Sequence, residues 1–319
     1  IKGVNGLPEI VRTYKEAGIA ELGTSRIEQI VRCREAGIEG PYLLIRIPGL
    51  SELPDVGRRC DCSLQSERAV LDALERECVR QEKTHSVIVM ADLGDLREGF
   101  WDREEMVETC VHVERELPHV HLRGVGVNLS CYGSIRPTPE KMNELIDIAR
   151  EVERRIGRPL ETVSGGATSS YTLVHSGAMP EGINHLRIGD REVHFEFGRS
   201  IVAECGELIT TVLFNKTTAT GRKLVIVDAS MTELVRPAMY GSYHNIENIT
   251  AKDDEVREKY TVVGTACEST DVFDENVTLR RTHRGDLLTI KSAGAYGMSM
   301  ASRYNLHDLP GAVYSDEIK

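Results

Sequence analysis

The segment SGGATSSYTLV (164–174) puts two glycines and several hydroxyls between an apolar run and a helical stretch. Backbone N–H groups at such a junction attract an anion, phosphate above all. Gly-Gly turns are also common, so an ordinary turn is as good a reading of that segment alone. Lys2 follows Ile1 at what reads as the end of a strand, and on its own it could be any solvated surface lysine. An amine facing the same opening as a phosphate site suggests something narrower: a Schiff base to pyridoxal 5′-phosphate. Two further apolar runs each carry one charge, Arg187 in HLRIG (185–189) and Glu196 in VHFEFG (193–198), the latter followed at once by Arg199.

These residues need a frame. From residue 7 to residue 190, short apolar runs alternate with amphipathic stretches. LPEIVRTYKEAG, SRIEQIVRCREAG, SERAVLDALERECVRQ, REEMVETCVHVEREL and TPEKMNELIDIAREVERRIG have helical spacing. The last opens with Thr138 as N-cap and Pro139 at the first helical position. Between them lie strand-like IAELGTS, LLIRI, CSLQS, SVIVMADL, LRGVGVNLS, ETVSGG and HLRIG. With the truncated strand ending at Lys2 the series reaches eight, and parallel neighbours need the crossovers that the helices supply. The expected fold class is therefore α/β, a (β/α)8 TIM barrel with its first strand truncated over residues 1–190, followed by an all-β C-terminal domain over 191–319. An open doubly wound sheet is the alternative. In a barrel the working residues sit at the C-terminal strand ends. Lys2, Arg46, Asp92, Asn128, Ser164-Gly165-Gly166 and Arg187 fall there.

Composition agrees with such a frame. At 319 residues and 40% apolar content the chain can bury a substantial core, and its net charge of −11 argues against a nucleic-acid or anionic-membrane surface. No apolar run approaches the roughly 18 residues of a membrane helix. Eight scattered cysteines suggest a reducing cytoplasm rather than a disulfide framework. Cys60-Asp61-Cys62 lacks a matching pair at zinc spacing, so no metal is expected.

IKGVNGLPEIV, ELGTSRIEQI, LLIRIPGLSE, MADLGDLREGF, VGVNLSCYG, SGGATSS and MPEGINHLRIG together make residues 1–190 resemble the alanine-racemase-like barrel of the ornithine and lysine racemases. The resemblance implies that Lys2 carries pyridoxal phosphate and that Arg97 hydrogen-bonds its phenolic oxygen. It also implies that Ser164, Gly165, Gly166 and Ser169 hold its phosphate, and that Arg187 approaches its ring nitrogen. FGRSIVAECGELIT, KLVIVDASMTELVRPAMYGSYHNI, YTVVGTACESTDVF and GDLLTIKSAGAYGMSMASRYN resemble instead the C-terminal β domain of diaminopimelate decarboxylase. That resemblance implies Glu196, Gly198 and Arg199 beside the cofactor, and Arg199, Arg236, Tyr240 and Glu268 on the substrate. It makes Cys267 the proton donor and brings Tyr296 to both cofactor phosphate and substrate. Where that family has Glu-Pro-Gly-Arg, this chain has Glu196-Phe197-Gly198-Arg199, and where it stacks a histidine on the ring, Asn128 lies nearby. The implied roles are physically coherent. Two arginines and a tyrosine can clamp an α-carboxylate, and Glu268 can meet the distal ammonium of a basic or diamino substrate. Cys267 can return a proton to carbon. Both families imply a head-to-tail homodimer with Cys267, Glu268 and Tyr296 acting partly across the interface.

Arg187 and Glu196 are rival partners for one nitrogen. A carboxylate keeps that nitrogen protonated and makes the ring a full electron sink, suited to losing CO₂. An arginine keeps it unprotonated and suits reversible proton transfer. Either HLRIG fills the eighth barrel position and displaces Glu196, or VHFEFG fills it and Arg187 lies outside. The continuous barrel resemblance favours HLRIG, whereas the complete substrate set of the second half favours a decarboxylase, the reading adopted. A racemase of a basic amino acid is the alternative, and a non-catalytic pyridoxal-phosphate-binding protein is the third.

Overall fold

In the computed structural model the described residues are 1–129, 135–171, 173, 185–188, 191–253 and 256–317, with the backbone alone at 185–188, 191 and 192. Contacts divide the chain into two units, Ile1–Lys2 with Gly6–Gly198, and Gly3–Asn5 with Arg199–Lys319.

The first unit alternates strands and helices. Strands β1 (Leu22–Thr24), β2 (Tyr42–Leu44), β3 (Cys62–Gln65), β4 (His85–Ala91), β5 (Val120–Val127) and β6 (Thr162–Ala167) pair in sequence order, all parallel. Helices α1 (Pro8–Glu16), α2 (Ile27–Glu35), α3 (Leu53–Arg59), α4 (Arg68–Gln81), α5 (Arg103–Glu116) and α6 (Pro139–Ile156) are the crossovers. Their ends follow local chemistry. Asp102 accepts the Glu105 N–H at the start of α5, Thr138 accepts the Lys141 N–H at the start of α6, and Gly157 ends α6 at φ 82°. Leu43, Cys62, Leu64, Ile88 and Met90 pack as one buried cluster on three neighbouring strands.

The sheet is curled. Arg123 on β5 grips both carboxylate oxygens of Glu21, next to β1, at 2.5 and 3.0 Å. Four strand spacings in a flat sheet would separate these strands by about 19 Å, far beyond the reach of the two side chains. This is the barrel that the alternation predicts.

Two expectations fail at its edges. Lys2–Val4 is a turn of 3-10 helix rather than a strand end, although the Ile1 ammonium still donates to the Gly23 carbonyl of β1 at 2.7 Å. More consequentially, HLRIG does not fill the last barrel position. Strand β8 (Arg191–Glu196) pairs parallel with β6, while β7 (His185–Ile188) pairs antiparallel with the outer side of β8. The reason is chain length: two residues, Gly189 and Asp190, separate the runs, and so short a link permits a hairpin but no parallel crossover. Only one run can then lie parallel to β6. Val193 and Phe195 are buried on one face of β8, so His194 and Glu196 take the other.

The second unit is a six-stranded sheet with the order β11 (Ile246–Asn248), β14 (Leu287–Ile290), β9 (Leu208–Thr217), β10 (Lys223–Val227), β12 (Arg257–Val263) and β13 (Val272–Arg280). Val212, Val225, Val227, Tyr260, Val262, Phe273, Leu288 and Ile290 belong to its core. Neighbouring strands pair antiparallel except that β10 and β12 are parallel, with the short helix Arg236–Tyr240 and β11 in the crossover. The division between units falls after Gly198, so β8 belongs to the barrel.

Candidate active site

Within the first unit, strand alternation turns Ser164 of β6 and Glu196 of β8 toward each other. The Ser164 hydroxyl donates to Glu196 Oε1 at 3.1 Å. Removal from water pushes the Glu196 carboxyl up to about 7, a rise that the Ser164 hydrogen bond opposes; the nearby charges of Glu98 and Glu21 raise it further, and Lys2 lowers it. Glu196 thus lies in a polar site within range of the Lys2 charge. The glycine pair borders it. Gly166 has φ 94°, and a Cβ there would stand 3.0 Å from the Val127 carbonyl oxygen; a Cβ on Gly165 would stand 2.5 Å from the Phe195 ring. Neither position accepts a side chain without displacement. Ser169 donates to the Leu129 carbonyl at 2.7 Å, so its hydroxyl ties the ends of β5 and β6 together.

Sequence reasoning missed Glu98. This residue is buried, accepts from Arg97 Nη2 at 2.5 Å, and accepts from the Asn128 amide. Arg97 Nε also lies 3.9 Å from the buried Asp95. In LREGF, Glu98 reads as an ordinary surface charge; only the loop's inward fold reveals it as the group that fixes Arg97 and Asn128. The Asn128 nitrogen faces Glu98, and its oxygen lies near Gly166. Arg187 lies on β7, at the sheet's outer edge, and its side chain is outside the described residues. Phe100 is buried, and the adjacent Trp101 is 71% exposed.

Within the second unit, four expected substrate residues gather. The Arg236 guanidinium lies 5.3 Å from the Tyr240 ring centroid and 5.7 Å from that of Tyr296. Burial, and then the like charge of Arg199, lower the Arg236 pKa. An arginine beside two phenols, with a second cation within electrostatic range, has the chemistry to bind a carboxylate. Cys267 and Glu268 occupy an exposed loop, where the Tyr304 phenol donates to Glu268 Oε1. No hydrogen bond or ion pair among the described residues joins Glu268 to Arg199 or Arg236.

The family model described as "Pyridoxal-dependent decarboxylase, C-terminal sheet domain" matches residues 70–294. The chain belongs to that family. Among curated relatives, it is similar to diaminopimelate decarboxylase of Bacteroides thetaiotaomicron, 51% identical over 224 residues, covering 66% of this chain and 57% of the relative. It is also similar to lysine racemase of Thermotoga maritima, 41% identical over 199 residues, covering 61% and 53%. The chain thus spans about half the length of the curated relatives it matches. Among solved structures, diaminopimelate decarboxylase of Helicobacter pylori complexed with L-lysine aligns over 95% of this chain and 80% of that one, with TM-score 0.76 and 24% identity. That likeness establishes the fold, a barrel followed by a β domain.

Pyridoxal phosphate, the family's cofactor, fits the residues present. It needs an amine, an acid able to share a proton with a pyridine nitrogen, and a backbone surface free of side chains for its phosphate. Lys2, Glu196 and the Gly165–Gly166 pair have those properties.

Proposed function

We propose that the chain acts as a pyridoxal-dependent decarboxylase of a diamino acid, taking diaminopimelate to lysine and CO₂. The observation that carries this reading is the pairing of β8 with β6, which sets Glu196, rather than Arg187, beside Ser164 and within range of the Lys2 charge. Lys2 would hold the cofactor covalently, Glu196 would face its ring nitrogen, and Ser164, Gly165 and Gly166 would face its phosphate. When bound, pyridoxal phosphate supplies an aldehyde for the substrate amine and a ring that accepts the electron pair left as CO₂ departs. A carboxyl poised near neutrality can keep a proton on that nitrogen throughout. Arg199, Arg236, Tyr240 and Tyr296 would bind a carboxylate, and Glu268 the distal ammonium. Cys267 Sγ–H would give its proton to the carbon that lost CO₂. Glu98 would hold Arg97 and Asn128 in place above the strand ends. A head-to-tail homodimer in the cytoplasm completes the reading, with Cys267 and Glu268 serving the partner subunit's barrel.

The similarity to lysine racemase favours a second reading, reversible removal of the α-proton of a basic amino acid. Incubation with meso-diaminopimelate, lysine and ornithine separates the two. Release of CO₂ is expected; loss of optical rotation without CO₂ would establish the racemase. Bound cofactor with neither outcome would leave a carrier. The absorbance of the lysine-bound cofactor should vanish in Lys2→Ala; its survival would refute the site itself.

A further inference from the structure

Glu268 stands on a loop whose backbone is tightly held. Gly264 N–H donates to the Asp271 carbonyl at 3.1 Å, and Asp271 N–H to the Glu268 carbonyl at 3.2 Å. The buried Asp271 carboxylate accepts from Ala266 N–H and Met231 N–H, both at 2.7 Å, tying this loop to the neighbouring 230–232 turn. A second segment, 302–307, anchors to the same turn. Ser302 N–H donates to the Thr232 carbonyl at 2.9 Å, and the His307 ring lies 3.3 Å from the Thr232 hydroxyl. From the middle of this strap, Tyr304 reaches Glu268 and donates its phenol to Oε1. Backbone anchoring fixes where Glu268 starts, but a glutamate has three rotatable bonds beyond it. Tyr304 removes that freedom.

We propose that Tyr304 is a positioning residue for Glu268: its phenol occupies one carboxylate oxygen and leaves the other aimed at the distal ammonium of a diamino acid. The proposal rests on the reading of Glu268 given above, and it makes Tyr304 a determinant of specificity rather than of the reaction at the α-carbon. A side chain already held in one arrangement costs less to order when the ammonium arrives, so loss of the phenol should weaken ammonium binding by up to about tenfold.

The test is calorimetric binding of L-lysine and of L-norleucine, which lacks the distal amine, to the cofactor-loaded chain and to Tyr304→Phe, Glu268→Gln and the double variant. Tyr304 is exposed, so the phenylalanine variant should melt at the parent's temperature. The expected result is lysine binding weakened by up to about tenfold in Tyr304→Phe, unchanged norleucine binding, and no further loss when the change is added to Glu268→Gln. Lysine binding lost in Glu268→Gln but intact in Tyr304→Phe would overturn the role of Tyr304 and leave that of Glu268 standing. Equal weakening of both ligands in Tyr304→Phe would reduce Tyr304 to scaffolding. A parent chain without preference for lysine over norleucine would overturn both readings.

Discussion

Replacing Glu196 by glutamine removes a titration without changing shape. The free carboxyl would ionise near 4.5, and in the folded chain it does so at about 7. A raised carboxyl pKa means that the folded state binds more protons than the unfolded chain across that interval, so stability must fall as pH rises through it. The interval corresponds to roughly 3 kcal/mol, reduced toward 2 by the side chain's residual contact with solvent. The parent should therefore lose roughly 2–3 kcal/mol of stability between pH 5 and pH 8 through this one group, whereas Glu196→Gln should not. Urea denaturation of both cofactor-free proteins at several pH values, followed by circular dichroism, measures the difference. Its signature is a gap between variant and parent that widens as pH rises. A constant gap from pH 5 to pH 8 would mean that Glu196 titrates as a solvated glutamate, and the argument for a proton held at the ring nitrogen would go with it. Cofactor binding should then be strongly weakened in Glu196→Gln, because the amide has no charge to offer a pyridinium.

Neutralising Glu21 in Glu21→Gln removes a charge that raises the Glu196 pKa and leaves Arg123 without its bidentate partner. The stability gap described above should move to lower pH, and the barrel should lose about 1–3 kcal/mol; an unmoved titration would break the electrostatic link. Gly166→Ala forces a side chain into φ 94° against the Val127 carbonyl; it should cost about 1–2 kcal/mol and weaken pyridoxal phosphate binding. A melting temperature equal to the parent's would refute the strain. Gly264→Ala would bring a Cβ within 2.4 Å of Asp271 Oδ2. Displacing that carboxylate from the Met231 and Ala266 amides should impair catalysis through the Cys267 loop, seen as a lowered kcat.

The barrel was legible because its signals are local. The helix cap at Thr138, the 3.6-residue periodicity of α6 and the alternation of runs are properties of adjacent residues, and they fix the order of the elements. Glu98 was not legible, since a charge next to Arg97 in a glycine-flanked loop looks solvated until the loop folds inward. Tyr304 was likewise silent, because its partner is 36 residues away. The link between HLRIG and VHFEFG is a local signal of another kind. Gly189-Asp190 is a two-residue link, which excludes parallel neighbours on either side of it.

Residue order alone determined that this chain builds a barrel and then a sheet, and that an amine, a glycine pair and several arginines are available to it. Which charge faces the site was decided only in three dimensions. HLRIG and VHFEFG are both apolar runs of strand length, and nothing local ranks them. The choice depends on which can lie against β6 while burying Val193 and Phe195, and that energy arises from contacts between residues about thirty positions apart.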